Sequence, residues 1–270
     1  MVSIPCAVAT NHFKWQISLF EFNHFKVYGE DAYNKAIIPI VNRNYKSDAI
    51  TTELDWGLRL PHKLVDSVLD MLNFTKPRYI VNNVFTAAYQ VTRDVDDEEY
   101  LEIIDADLFH LKKYDGYLPS DNEVVVDATY ENWHLKVNSD NRNIIHKYLH
   151  HNDYQYMNGG FNVILKKKVF DKIYHEAVET SIKVSDEYPN TSHSWWALMY
   201  GLNVACHNNR IKMVDGKNCY YPNINELKET HHIAHYSCDP LFNKNKFHEI
   251  KWDNFPNNKF YNSITEWKQY

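Results

Sequence analysis

Two aspartates, Asp105 and Asp107, follow directly on the apolar run at residues 100–104 in the stretch EYLEIIDADLF. Residues i and i+2 of an extended chain point to the same side, so both carboxylates can face one ligand. Two carboxylate donors suit Mg²⁺ or Mn²⁺, which usually share their coordination with substrate phosphates. An Asp-x-Asp pair is also common on the surface after a strand, and the pattern alone favours that surface interpretation.

A pair of glycines is a second candidate feature, in a chain that has only 7 of them. Gly159 and Gly160 follow Asn158 and come directly before an apolar run. Glycines at that point would let the backbone approach a ligand closely. Asn-Gly also favours an ordinary turn, and for this motif alone the turn is the stronger interpretation.

A histidine late in the chain is the third feature. His235, in the stretch ETHHIAHYSCDP, could give a nitrogen ligand to a metal ion whose other ligands are carboxylate and phosphate oxygens. The chain has 15 histidines, so one of them proves little. His231 and His232 could compete for the same role.

The elements that must position these residues alternate between strands and helices. Apolar runs predict strands at residues 4–10, 36–41, 100–104, 124–126, 161–165 and 211–214. Apolar residues at helical spacing predict helices that begin at Asn11 and Pro61, and others over 84–91, 169–182 and 195–204. This alternation predicts an α/β fold with a central, mostly parallel sheet flanked by helices. In such sheets ligands bind at the carboxyl ends of strands, where Asp105 and Asp107 would lie.

The last part of the chain, from Phe247 onward, is rich in aromatic residues. Within it, Ser263 and Glu266 have the spacing of a capping box, which predicts the start of a helix. We expect this tail to pack against the rest of the protein.

The charge, cysteine content and apolar stretches of the chain indicate which classes of protein it can belong to. The net charge of −6 gives no overall basic field for nucleic acid or an anionic membrane, although a local basic groove is still allowed. The four cysteines are far apart, which suits reduced thiols in a cytosol better than a disulfide framework. Because the sequence has no signal peptide and no apolar stretch of membrane-spanning length, we expect a cytoplasmic protein with no membrane partner.

The Asp-x-Asp, the Asn-Gly-Gly and the late histidine, in this order, resemble the metal-dependent nucleotide-sugar glycosyltransferases of the GT-A fold. The opening stretch, VATNHFKWQISLFEFNHF, is similar to that of the plant hydroxyproline O-arabinosyltransferase and peptidyl-serine galactosyltransferase group. The likeness continues, at low identity but in the same order, through NNVFTAAYQ, EEYLEIIDADLF, GGFNVILKKKVFDKI, SWWALMYGL and HHIAHYSCD. It therefore covers most of the chain.

This resemblance implies a single GT-A domain over residues 1–270. Its first half, 1–110, would bind the nucleotide sugar, and 111–270 would bind the acceptor and complete the metal site. Asp107 and His235 would hold Mn²⁺ (or Mg²⁺), with Asp105 contacting the ion or the ribose. The relatives differ from this chain at the position of Asp105, so Asp107 is the firmer candidate.

The resemblance also implies binding roles for residues outside the metal site. Residues at the end of the first strand would hold the nucleotide, namely Thr10, Lys14, Trp15 and Gln16, although Trp15 could equally fill the core. Asn158, Gly159 and Gly160 would line the sugar pocket. Lys244 and Lys246 would approach the diphosphate or simply lie on a solvated surface. One of Trp195 and Trp196 would fill the core, and the other would stack on the sugar or acceptor.

The implied reaction retains the anomeric configuration, and a retaining enzyme can use a carboxylate nucleophile or front-face attack. Asp153, Asp186 and Glu187 are possible carboxylates, but their spacing singles out none of them. The relatives carry a carboxylate near the position of SWWALMYGL, and this chain has none there.

The resemblance suggests UDP-arabinose as the donor, followed by UDP-galactose. A chain rich in Asn, Lys and Tyr and poor in Gly is typical of an AT-rich genome, such as that of a virus or phage, which would place it in the host cytoplasm. For such an organism 5-hydroxymethylcytosine in DNA is a plausible acceptor. The basic stretches HLKKY, LKKKVF and NKNKFHEIKW could contact its phosphates, or could simply be solvated surface.

Three other functions stay open on the sequence. The first is a glycosyltransferase that acts on a protein or a surface glycan. The second is a metal-dependent nucleotide-diphosphate hydrolase, which would use the same aspartates and histidine. The third is a binding module that holds the nucleotide without turnover.

Overall fold

A computed structural model of the chain describes residues 1–42, 56–66, 83–127, 139–151, 162–189, 191–222, 225–236, 239–242 and 249–270. Several predicted site residues lie outside these ranges, namely Asp153, Asn158, Gly159, Gly160, Lys244 and Lys246. For Trp195 the structure describes the backbone alone.

The described strands form a seven-stranded sheet and a three-stranded sheet. The larger sheet contains β1 (Val2–Val8), β2 (Ile38–Val41), β3 (His62–Val65), β4 (Tyr100–Asp105), β6 (Glu123–Val126), β7 (Asn162–Lys166) and β8 (Lys212–Asp215). The smaller sheet contains β5 (Leu108–His110), β9 (Cys219–Tyr220) and β10 (Ile233–His235). Their spatial orders are β3-β2-β1-β4-β7-β6-β8 and β5-β10-β9.

The larger sheet is parallel except at β7, which runs antiparallel to both β4 and β6. In the register, Cys6 lies opposite Asp105, and Ile104 lies opposite Asn162. The carboxyl ends of β1 and β4 and the amino end of β7 therefore share one edge of the sheet. This confirms the predicted mostly parallel α/β sheet and places Asp105 at its carboxyl edge.

Helices cover both faces of this sheet. They are α1 (Asn11–Tyr28), α2 (Asn83–Val91), α3 (Ser139–His146), α4 (Lys167–Glu187), α5 (Ser192–Trp195), α6 (Ala197–Asn208) and α7 (Lys259–Gln269). The apolar faces of α2, α4 and α6 form one core with the sheet. The opposite face packs against α1 and the smaller sheet. Among the described helices, none has the length and apolar composition that crossing a bilayer requires.

Two of the predicted helix starts are wrong. Residues 62–65 form the edge strand β3, which pairs with β2, instead of the first turn of a helix from Pro61. The remainder of that predicted helix lies outside the described residues. In the tail, α7 begins at Lys259, where the side chain of Asn258 accepts a hydrogen bond from the amide of Tyr261, so Ser263 is an interior helix residue and not a cap.

The predicted helix over 195–204 is interrupted. It consists of α5 and α6, with Trp196 between them in a non-helical conformation. The two helices together still cover the predicted range, but Trp196 is placed at a corner and not within a continuous helix.

The C-terminal tail packs on the body of the protein, as its composition predicted. The indole nitrogen of Trp267 donates a hydrogen bond to the hydroxyl of Ser18, at 3.1 Å, and Glu266 forms an ion pair with Lys26. Both partners belong to α1. The tail thereby closes an aromatic cluster that is formed by Trp15, Phe109, Tyr236, Phe242, Phe260 and Trp267.

Helix α6 packs closely against α4 at Gly201. A methyl group added at Gly201 would lie 2.1 Å from the backbone carbonyl oxygen of Ala177. Because backbone cannot move aside as a flexible side chain can, we expect Gly201→Ala to lower the stability to unfolding by about 2–3 kcal/mol, despite the better helix propensity of alanine. Chemical denaturation measures this change. An unchanged denaturation midpoint would show that the two helices can move apart to admit the methyl group at no cost in stability.

Candidate functional site

The candidate site is built at the end of β4, where the chain leaves the sheet. Residues 101–104 are buried, and the strand ends at Asp105, which is partly exposed and accepts a hydrogen bond from the amide of Ala106 at 3.0 Å. Ala106 and Asp107 then form a turn into β5. The two aspartates are thus not residues of one extended strand, and Asp107 is buried.

His235 is brought to Asp107 by the smaller sheet. Strand β10 pairs antiparallel with β5, which sets His235 opposite Leu108, directly after Asp107. The Nε2 atom of His235 lies 3.0 Å from Oδ1 of Asp107. The two competing histidines lie elsewhere: His232 is bonded to Glu102, and the Nδ1 atom of His231 accepts a hydrogen bond from the amide of Lys228.

The predicted metal ligands fit a divalent cation in their chemistry. Asp105 and Asp107 offer oxygen donors and His235 a nitrogen donor, a set that suits Mn²⁺ or Mg²⁺. Asp107 and His235 already lie beside each other. Within the described ranges no three His, Cys, Asp or Glu side chains are close enough together to form a metal site, so the full set of ligands is not assembled there.

The nucleotide-binding residues predicted at the end of β1 fall into two groups. Thr10 precedes the first residue of α1, and its carbonyl accepts a hydrogen bond from the amide of Lys14, whose side chain is exposed. These two lie at a helix N-terminus, where the helix dipole favours a negatively charged ligand.

Trp15 and Gln16 face inward. The ring of Trp15 lies about 6 Å, centre to centre, from the rings of Tyr236, Phe242 and Trp267. Gln16 is buried, and its amide donates a hydrogen bond to the carbonyl of His12. Both therefore have packing roles in α1.

Three of the residues predicted for catalysis and acceptor binding have described side chains, namely Asp186, Glu187 and Trp196. Asp186 and Glu187 are exposed at the C-terminal end of α4, where Glu187 pairs with Lys147 at 2.6 Å. This ion pair lowers the pKa of the Glu187 carboxyl below its usual range. Trp196 is half-buried and packs near His193, in a small core formed by α3, α4 and α6.

The basic stretch LKKKVF is largely neutralised by acidic side chains. Lys166 and Lys168 both pair with Glu98 and Asp121, and Lys167 pairs with Asp171. These ion pairs hold the pKa values of Glu98 and Asp121 below their usual range. This stretch is thus a set of paired surface charges and not a free cationic groove.

Sequence reasoning missed a buried polar network beneath the site. The carboxylate of Glu102 accepts hydrogen bonds from the hydroxyl of Ser3 at 2.6 Å, from Nε2 of His110 at 2.9 Å and from Nε2 of His232 at 2.6 Å. All four residues are buried. Burial alone would raise the pKa of Glu102, but the imidazoles of His110 and His232 outweigh it and hold this pKa well below its usual range.

His24 extends the network and makes the stability depend on pH. Burial, and then the neighbouring His110, lower the pKa of His24 from 6.5 to about 3. Below about pH 6.5 the unfolded chain binds a proton at His24 that the folded chain does not. Stability is therefore lost as the pH falls from about 6.5 toward 3, by up to about 1.4 kcal/mol per pH unit.

Melting temperatures measured between pH 7.5 and pH 4.5 test this dependence. We expect a steady decrease below pH 6.5 in the wild type and a shallower slope in His24→Phe, which keeps a ring against Phe20 and Tyr28. Equal slopes in the two proteins would contradict the assignment to His24.

A second missed acid lies at the same edge of the sheet. Asp127 follows β6 directly, is buried, and accepts a hydrogen bond from the amide of Cys219 at 2.9 Å. Its signal in the sequence is the one that identified Asp105, an acid directly after an apolar run (VVVD). Beside it, the buried amide of Asn162, at the start of β7, donates to the side-chain oxygen of Asn218 at 3.2 Å.

Asn218 leads into a cavity of about 440 Å³ next to this edge. The cavity wall combines an aromatic ring, an amide, a hydroxyl, two carboxylates and one lysine, contributed by Tyr114, Asn218, Thr230, Asp115, Glu229 and Lys112. Lys112 is itself paired with Asp115 at 2.7 Å. The lining has more negative than positive side chains, so it suits a neutral, hydroxyl-rich group better than a phosphate.

Comparison with known proteins supports the fold. No protein-family model matches the sequence, and no curated protein is significantly similar to it. An active-site mutant of LgtC is similar in structure, with a TM-score of 0.53 and 11% identity over 99% of this chain and 95% of that one. The bifunctional glycosyltransferase WbbM gives a TM-score of 0.54 and 11% identity over 98% of this chain, which spans 49% of WbbM.

A further structure, of the galactosyltransferase LgtC in complex with donor and acceptor sugar analogs, covers 97% of this chain with a TM-score of 0.49. LgtC and WbbM are GT-A glycosyltransferases, and the present chain shares their fold. At 11% identity the likeness extends to the fold alone.

Proposed function

We propose that this protein is a glycosyltransferase that moves a sugar from a UDP-sugar to an acceptor hydroxyl. One observation carries the proposal: the pair formed by Asp107 and His235 lies at the carboxyl edge of a GT-A sheet, directly after the central strand β4. That edge is where open α/β sheets bind their ligands. The resemblance of the sequence to nucleotide-sugar enzymes agrees with it.

The roles of the chain's own residues follow from their positions at this edge. The N-terminus of α1, with Thr10 and Lys14, would bind the negative diphosphate through its amide groups and the lysine charge. Asp107 and His235, with Asp105, would hold Mn²⁺ or Mg²⁺. Such an ion, when bound, supplies positive charge that stabilises the leaving diphosphate.

In the proposed reaction the bond between the anomeric carbon and the β-phosphate oxygen breaks, and the acceptor oxygen bonds to that carbon. UDP leaves with the electron pair of the broken bond on its β-phosphate oxygen, and the proton of the acceptor hydroxyl passes to that oxygen or to solvent. Asp107 would hold the ion, and Asp105, which is partly exposed, would contact the ion or the ribose. Asp153, Asp186 and Glu187 are the candidates for a catalytic nucleophile, and front-face attack is the alternative that needs none of them.

For the donor we propose UDP-arabinose, and for the acceptor 5-hydroxymethylcytosine in phage DNA. The support for the donor is the likeness of the opening stretch to the arabinosyltransferase group, and the support for the acceptor is the composition of the chain. The ion pairs of Lys166 and Lys168 leave less positive charge for a DNA backbone than the sequence suggested.

The cavity beside Asn218 favours a second candidate, a transferase that acts on a glycan or a glycosylated protein. Its ring, amide, hydroxyl and carboxylate groups can bind the hydroxyls of a sugar acceptor, and the excess of carboxylates disfavours a polyphosphate. The two candidates share the donor chemistry and differ in the acceptor.

The test is UDP release from a panel of UDP-sugars with Mn²⁺, measured alone, with hydroxymethylcytosine DNA, and with simple glycosides. We expect release from one donor to rise sharply with one acceptor. A rise with the modified DNA supports the first candidate, and a rise with a glycoside supports the second.

Two other outcomes are informative. Fast release that ignores every acceptor would indicate a nucleotide-diphosphate hydrolase. Nucleotide binding without any release from any donor would indicate a binding module, and either result would reject the transferase.

A further inference from the structure

Two buried amide side chains, those of Asn162 and Asn218, form a pair that is only partly hydrogen-bonded. The Nδ2 atom of Asn162 donates a hydrogen bond to Oδ1 of Asn218 at 3.2 Å. The other polar atom of each amide, Oδ1 of Asn162 and Nδ2 of Asn218, has no hydrogen-bond partner among the described residues. The two residues are only 1% and 5% exposed, so bulk water gives these atoms little compensation.

The fold gains nothing from these two unpaired atoms. A buried donor or acceptor without a partner lowers stability, whereas a pair of apolar side chains of similar shape would be nearly neutral. Buried polar atoms in native proteins are almost always satisfied by protein, by an ordered water or by a ligand. The amide pair therefore needs an explanation other than packing.

The free donor of this pair lies in the wall of a cavity. Asn218 and Gly216 both line the cavity of about 440 Å³ described above. A methyl group added at Gly216 would lie 2.8 Å from Nδ2 of Asn218, so the glycine keeps the space beside that donor open. The hydroxyl of Tyr114, also in the wall, donates a hydrogen bond to the carbonyl of Tyr117 at 2.6 Å. Burial raises the pKa of Tyr114 to about 12, and the nearby amide of Asn218 opposes this rise.

Asn162 fixes the orientation of the Asn218 amide and connects it to the candidate site. Because Oδ1 of Asn218 accepts the hydrogen bond from Asn162, the Nδ2 atom is the one left for a ligand. Asn162 lies opposite Ile104 in the pairing of β7 with β4, and Asp105 directly follows Ile104. Residues paired in this way have Cα atoms about 4.5–5.5 Å apart. The amide pair thus lies beside the edge at which we propose that the donor binds.

We propose that Asn218 determines the acceptor specificity of the enzyme, by donating a hydrogen bond from Nδ2 to a hydroxyl oxygen of a neutral sugar. Asn162 is the positioning residue that holds the amide of Asn218 in this orientation. Asp115 and Glu229 in the cavity wall outnumber the one lysine there, which disfavours a phosphorylated ligand. The inference rests on the proposed function and deepens it, since it commits to a glycan acceptor in place of modified DNA.

The experiment measures the binding of neutral methyl glycosides by saturation-transfer NMR, without a donor and with UDP and Mn²⁺. 5-Hydroxymethyl-2′-deoxycytidine is titrated in parallel as the other acceptor. The proteins are the wild type, the double variant Asn162→Leu/Asn218→Leu, and Gly216→Ala. Asn203→Leu is the matched control, because Asn203 is a buried asparagine of α6 whose Oδ1 also lacks a partner among the described residues.

We expect the wild type to bind one of the glycosides and the double variant to bind it about 10–100-fold more weakly. The double variant should melt within about 3 °C of the wild type, because it removes both partners of the pair and leaves neither amide unpaired. Gly216→Ala keeps both amides but places a methyl group against the free donor, so it should weaken binding as well. Asn203→Leu should bind the glycoside as the wild type does.

The outcomes for binding judge the inference. If the double variant does not fold, the binding by Gly216→Ala takes its place. Glycoside binding of wild-type strength by the folded variants would show that Asn218 does not select the acceptor. A wild type that binds no glycoside, or that binds only the modified nucleoside, would also overturn the inference.

UDP release judges the proposed function separately. Release from a UDP-sugar that rises with an acceptor other than a glycoside would keep the transferase while the inference fails. Glycoside binding that depends on Asn218, without UDP release from any donor, would keep the sugar site and reject the transferase.

Discussion

Asp107→Asn is expected to reduce UDP release from the donor by about 10²–10³-fold while leaving the protein folded. Asparagine keeps the size of the side chain and an oxygen that His235 can still contact. It removes the negative charge that would hold a divalent cation. Because the lost interaction acts on the leaving diphosphate, the decrease should appear in kcat as well as in the Mn²⁺ requirement.

The matched control for this variant is Asp94→Asn, at an exposed loop position away from the sheet edge. It makes the same chemical change and should leave UDP release and its Mn²⁺ dependence as in the wild type. Melting temperatures of both variants show whether the fold is kept. Full metal-dependent release by a folded Asp107→Asn protein would contradict the assignment of Asp107.

Glu102→Ala is expected to cost about 3–5 kcal/mol of stability, the largest structural effect that we predict. The variant removes the acceptor of three hydrogen bonds and leaves His110 and His232 buried without it. A loss of this size corresponds to a decrease in melting temperature of about 10 °C. Urea denaturation at pH 7.5 measures it directly.

Glu98→Ala serves as the comparison, because Glu98 is an exposed acid with two ion pairs to lysines. Exposed ion pairs contribute little, so this variant should unfold close to the wild-type midpoint. Equal denaturation midpoints for Glu102→Ala and the wild type would mean that the network around Glu102 does not stabilise the junction of the two sheets.

The central strands could be predicted from the sequence because they are buried on both faces. Runs such as residues 100–104 then consist almost entirely of apolar residues. This pattern can be recognised in the sequence of the strand itself, without knowledge of its neighbours in the sheet. Strand β3 lacks the signal, since only Val65 is buried and Leu64 is exposed at the sheet edge. Its strand conformation comes from pairing with β2, a tertiary contact that local spacing does not report.

The candidate site was predictable in part for the same reason. An acid directly after a buried strand lies at the sheet edge in any α/β fold, so Asp105 and Asp107 could be found from sequence. The side chains of Asp105 and Asp107 do not point the same way because the chain turns at Ala106. That turn depends on how the chain passes from β4 in the larger sheet to β5 in the smaller one. The pairing of Asp107 with His235 was expected only through the resemblance, and it arises from the register of β10 on β5.

The network of Glu102 could not be predicted, because its partners are far apart in the chain. His232 lies 130 residues from Glu102, and Ser3 lies 99 residues from it. A glutamate inside the apolar run YLEIID is nevertheless a signal, since a charge in the middle of a buried strand requires partners. The sequence shows that such partners must exist, and the fold determines which ones they are.

The measurement that tests the central claim most directly is a calorimetric titration of UDP into the protein, with Mn²⁺ and with a chelator. We predict one UDP bound per chain in the presence of Mn²⁺, with binding lost in chelator and in both Asp107→Asn and His235→Ala. If UDP does not bind, or binds equally well to both folded variants, the edge formed by Asp107 and His235 is not a nucleotide-sugar site.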